Sequence, residues 1–112
     1  MGEVVVEVNS GICGFDCRVS AKQVEKRTIK ISITGSGCTM IQEITTILDD
    51  ITMQDLFVPL TKSKIFIAAE NVGCHLACPV PTAIAKAAEV ALELALPKDV
   101  VIKIEKKKDP CH

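Results

Sequence analysis

The sequence specifies an α+β domain, with a mainly antiparallel sheet forming one layer and helices on one of its faces forming the other. Two observations predict it. The first third of the chain alternates apolar and polar residues with the period of strands, and the stretch from Ser36 to Leu96 changes to helical spacing. The strand-like segments also precede the helical ones as a block instead of alternating with them, which argues against a parallel α/β sheet. At 112 residues the chain fits one domain, 1–112, with about 106–112 as a charged, flexible tail.

Residues 3–9 open the sheet, with Val4, Val6 and Val8 on one face and Glu3, Val5, Glu7 and Asn9 on the other. Asn9-Ser10-Gly11 ends that strand. Cys17, Val19 and Ala21 alternate with Arg18 and Ser20 as a second, short strand, and the polar run Lys22–Lys26 reads as a turn. Ile29, Ile31 and Ile33 then alternate with Lys30, Ser32 and Thr34, completing a meander.

Gly35-Ser36-Gly37 changes the period. Met40, Ile41, Ile44, Ile47, Leu48 and Ile51 fall on one face of a helix that Ser36 or Thr39 can cap. Residues 52–60 are irregular. A short helix spans about Ser63 to Asn71 and closes at Gly73. A longer one begins near Pro81 and stops before Pro97. Its face of Ile84, Ala87, Ala88, Ala91, Leu92 and Ala95 is small enough to pack close to a sheet. Val100, Ile102 and Ile104 predict a last strand, with Lys103 and Glu105 opposite.

Six cysteines carry the chemistry of this chain. Cys13-Gly14-Phe15-Asp16-Cys17 and Cys74-His75-Leu76-Ala77-Cys78 are both C-x3-C pairs. Cys38 follows Gly35-Ser36-Gly37 at a strand-to-helix turn, and Cys111 precedes His112 in the tail. Cys13, Cys38 and Cys78 fall at turns and helix starts, where free backbone N–H groups and the helix dipole favour thiolates. They are the expected core of one metal site, with Cys17, Cys74 and His75 as candidates to complete it. Thiolates are strong ligands for zinc and for iron–sulfur clusters, and either is the expected cofactor. The spacing is neither the C-x2-C of common zinc sites nor the C-x2-C-x2-C run of bacterial ferredoxins. Each thiol also has an inert reading: Cys17 fits an inward core position, Cys74 a plain loop thiol, and His75 a hydrogen-bonded structural residue. Gly35 and Gly37 resemble the start of a dinucleotide-binding turn, but Met40 holds the third glycine's place. They are kept as a weak anion-binding turn.

The bulk composition narrows the partners. The formal net charge is −1, with no Trp or Tyr and three Phe, so the basic groove and stacking platforms of nucleic-acid binders are missing. No apolar run reaches the roughly 18 residues of a membrane span. The start MGEVVVEV lacks the basic and apolar regions of a signal peptide, which places the chain in a reducing cytoplasm, where paired cysteines bind metals or do redox work more often than they form structural disulfides.

The segments Gly11-Ile12-Cys13-Gly14-Phe15 and His75-Leu76-Ala77-Cys78-Pro79-Val80-Pro81, with the Cys38 helix start and Leu96-Pro97-Lys98-Asp99-Val100, resemble a small uncharacterised family. It is a single-domain family of unknown function from anaerobic archaea and bacteria. The resemblance implies a stand-alone cytoplasmic domain and carries Cys13, Cys38 and Cys78, with His75 beside them. It implies no activity.

Three functions compete at this level. The first is a metal- or iron–sulfur-binding protein. The second is a thiol redox enzyme or carrier with Cys38 or Cys78 as nucleophile. The third is a structural or assembly domain with inert cysteines, acting with a protein partner or as a homodimer through the apolar helix face. No Ser-His-Asp set, kinase motif or P-loop supports a hydrolase or phosphotransferase.

Overall fold

The computed structural model describes residues 3–9, 16–35, 39–48 and 50–108. Strand β1 (Val4–Val8) pairs antiparallel with β2 (Cys17–Glu25), β2 with β3 (Thr28–Thr34), and β3 with the two-residue β4 (Ile51–Thr52). The sheet order is β1-β2-β3-β4. Helices α1 (Thr39–Ile47), α2 (Lys64–Asn71) and α3 (Val80–Ala91) form the second layer. This is the α+β architecture that the block of strands followed by helices predicts.

The core lies between the layers. Val19, Ala21, Ile29, Ile44, Ile51, Ile65, Ile84, Ala87 and Ala88 join one buried cluster. α3 packs on β1 and β2, and its alanines let it approach the sheet closely. Its apolar face is therefore covered by its own sheet and is not free to form a homodimer. Within α1 the Thr45 and Thr46 hydroxyls donate back to the Gln42 and Glu43 carbonyls at 2.9 and 2.7 Å, the local bonding that lets a mid-helix Thr satisfy its hydroxyl.

Four local expectations change. β2 does not end at Ala21 but runs to Glu25, because Lys22–Glu25 still pair with β3 as the hairpin leaves the core. The turn is at Lys26-Arg27, with Arg27 at φ 61° and a register shift between Gln23 and Glu25. Ile51 is not on α1 but fully buried in β4, opposite Ile29. α3 stops at Ala91 and not near Leu96. There the Glu93 and Leu94 N–H groups donate to the Val90 and Glu89 carbonyls, with Glu93 at φ 62°, closing the helix as a Schellman motif. Residues 98–108 are in no strand and all exposed, so the alternation at Val100, Ile102 and Ile104 pairs with no strand among the described residues.

One clamp ties β4 to α2. The Thr52 N–H and hydroxyl donate to Asp55 Oδ2 at 2.8 and 2.9 Å, and Lys64 Nζ lies 3.3 Å from the same oxygen and donates to the Asp50 carbonyl at 2.9 Å. Burial pushes the Asp55 carboxyl up, but the two Thr52 donors and Lys64 together bring it below the ordinary aspartate value. A lowered folded-state pKa adds stability above the unfolded aspartate pKa, and that stability is lost as pH falls through the folded value. Asp55→Asn is thus expected to cost about 1–2 kcal/mol at neutral pH. Urea unfolding should show this difference from the parent chain shrinking in acid, and an equal difference at both pH values would contradict the clamp.

Candidate functional site

Cys17 is the first residue of β2 and pairs across the ladder with Val8, the last residue of β1. The inward alternation Cys17, Val19, Ala21 holds as the sequence predicts, and the Cys17 side chain is 6% exposed within the core cluster. Arg18 pairs with Thr34, the last residue of β3. Val8, Cys17 and Thr34 therefore lie together at one end of the sheet. These residues are the described boundaries of the connections in which Cys13 and Cys38 occur. Cys13 and Cys38 themselves, like Cys111 and Gly37, lie outside the described residues.

Cys74 and Cys78 are set by helix ends. Val72 caps α2, Gly73 takes φ 86°, the Gly73 N–H donates to Glu70 O at 3.1 Å and the Cys74 N–H to Ala69 O at 3.0 Å. This is a Schellman motif, and Gly73 is the residue whose missing Cβ permits it. The chain then turns, with the Cys78 N–H donating to His75 O at 3.1 Å, and Pro79 leads into α3. Both thiols of the pair are half-buried against the core, and His75 stands between them on a turn whose Leu76 is fully exposed. Pro81 occupies the first turn of α3 as its position predicts.

The direction of α2 bears on where this turn sits. Its first turn is tied by Lys64 to the β4 side of the molecule. β4 pairs with Thr28 and Ile29 at the start of β3, the end of the sheet opposite Thr34. Eight helical residues then carry the chain roughly 12 Å before Gly73 reverses it.

Among the described residues no three of His, Cys, Asp and Glu stand together as a ready metal-ligand group. Of the six expected site residues, Cys74, His75 and Cys78 share one turn, and Cys17 stands at a sheet end. Gly35 takes φ 78°, the left-handed conformation that favours glycine, and open space surrounds the position of an added Cβ. The groove at the C-terminal end of α3, lined by Val90, Glu93, Leu94 and Pro97, contains no cysteine and stands apart from this chemistry. The sequence reading passes over Asp55 and Lys64, although Thr52-x-x-Asp55 is a visible capping pattern. No helix among the described residues is long and apolar enough to cross a membrane.

A family model described as a family of unknown function, DUF6951, matches residues 4–104. No curated protein and no solved structure matches the chain.

Proposed function

We propose that this chain, which belongs to the DUF6951 family of unknown function, is a cytoplasmic metal protein that holds an iron–sulfur cluster or zinc through Cys13, Cys38 and Cys78. Cys17 is the fourth ligand in this reading, and Cys74 and His75 flank the site. The observation that carries it is the sheet register. Val8 and Cys17 bound the connection containing Cys13, Thr34 begins the one containing Cys38, and all three residues lie at one end of the sheet. α2 starts beside β4, and the Cys74–Cys78 turn follows its C-terminal end, directly before α3. Both motif segments, residues 11–15 and 75–81, fall inside the matched span.

The chemistry favours the same set. Thiolates are soft donors suited to zinc and to iron–sulfur clusters. A site at element ends can draw on backbone N–H groups for the negative charge that several thiolates concentrate.

Cys→Ser substitution tests the ligand set one residue at a time in protein purified without oxygen. Cys13→Ser, Cys38→Ser and Cys78→Ser should each lose most of the bound metal while far-UV dichroism keeps the α+β signature. Cys111→Ser should retain it. Metal retained in all three core variants would overturn the assignment.

A further inference from the structure

The last described stretch of the chain is a strand without a sheet. Residues 98–108 are exposed throughout, and Val100, Val101, Ile102 and Ile104 are 57%, 70%, 78% and 93% exposed. The stretch alternates as a strand does. The molecule measures 59 Å along its longest axis against 29 and 28 Å across, about what an extended arm of that length adds to a body near 30 Å. The same chain presents a sheet edge without a strand. Among the described residues β1 pairs with β2 on one side only, and it is the first strand in the sheet order. A long edge of this kind is a template for strand addition.

Arm and edge match. β1 is five residues long, Val4–Val8, and Val100–Ile104 is five residues long. Val4, Val6 and Val8 face the helical layer, half-buried or buried. A parallel register that sets Ile102 beside Val6 brings Val100 and Ile104 beside Val4 and Val8, so the apolar trio continues the core face. On the outer face it sets Val101 beside the half-exposed Val5 and Lys103 beside Glu7, which Arg18 already pairs from the other side at 2.8 Å. Asp99 beside Glu3 is its one like-charge pair, at the rim.

We infer that residues 100–104 add as an edge strand to β1 of a second copy of this chain, reciprocally, making a two-fold dimer by exchange of C-terminal arms. The arm projects away from its own body, which directs it to a partner, and the second copy offers the edge with matching length, apolar face and charge. Reciprocity doubles the buried surface and covers both exposed edges at once.

The test is the solution mass of the full chain together with amide hydrogen exchange in residues 3–9. Light scattering at micromolar concentration should give twice the 12.0 kDa of one chain. The double variant Ile102→Asp/Ile104→Asp should show a twofold fall in mass with the helical part of the far-UV dichroism kept, because neither side chain is part of the core of the single chain. Residues 3–9 should exchange faster in that variant. A parent chain of single mass overturns the inference, including the case in which β1 is protected by the chain's own arm. A dimer that survives the double variant, or one whose β1 exchange is unchanged by it, also overturns it.

Discussion

Ile84→Ala is expected to lower the unfolding free energy by about 3–5 kcal/mol, the upper part of the range for such truncations. Ile84 is fully buried on the α3 face that covers β1 and β2. Its neighbours on that face are Ala83, Ala87 and Ala88, all buried. Small side chains already at close approach cannot lean in to fill the space, so the cavity stays near the volume removed. The measurement is urea unfolding of parent and variant at equal metal content, because any bound metal adds its own stabilisation. The midpoint should fall with little change in slope. Ile104→Ala, at 93% exposure, should stay within about 0.5 kcal/mol in the monomer. A loss below about 1 kcal/mol for Ile84→Ala would mean that α3 is not packed on the sheet as described.

Cys17→Val separates the two roles this residue can play. As a core hydrophobe, Cys17 is replaced by a side chain of similar size, and the metal-free chain should change by less than about 1.5 kcal/mol. As a ligand, its loss should remove most of the metal and with it the stability that metal binding adds, which for structural zinc sites is on the order of 10 kcal/mol. The metal reading predicts both results together: near-parent stability without metal, and a large deficit with it. Equal metal content in variant and parent would return Cys17 to the core and leave the fourth position to Cys74 or His75.

The strands and the two later helices were legible because local period and burial coincide. Cys17, Val19 and Ala21 face inward as their alternation says, and Ser63 caps α2 through its hydroxyl, which accepts from the Ile65 N–H at 3.2 Å. Ile51 was not, because its spacing from Ile47 and Leu48 continues the helical stripe. Only the non-local pairing with Ile29 makes it a strand residue. Lys22–Glu25 lacks an apolar face because that part of the hairpin runs beyond the core, so its pairing leaves little trace in the pattern. Val100–Ile104 shows the reverse case. Its strand period is plain, yet which edge it meets is a long-range matter that no local period records.

The candidate site divides the same way. Gly73 and Pro79-Val80-Pro81 announce the turn that holds Cys74 and Cys78, since each satisfies a local backbone requirement. Which thiols meet depends on the sheet register and on the direction of α2, and neither is written in the spacing of the cysteines.

The central claim is that these thiols hold a metal, and the measurement that tests it most directly is metal and sulfide content, with a UV-visible spectrum, on the unmodified chain purified without oxygen. The account predicts a stoichiometric centre: either iron and sulfide with thiolate charge-transfer absorption, or zinc. A chain free of metal with every thiol intact would contradict it.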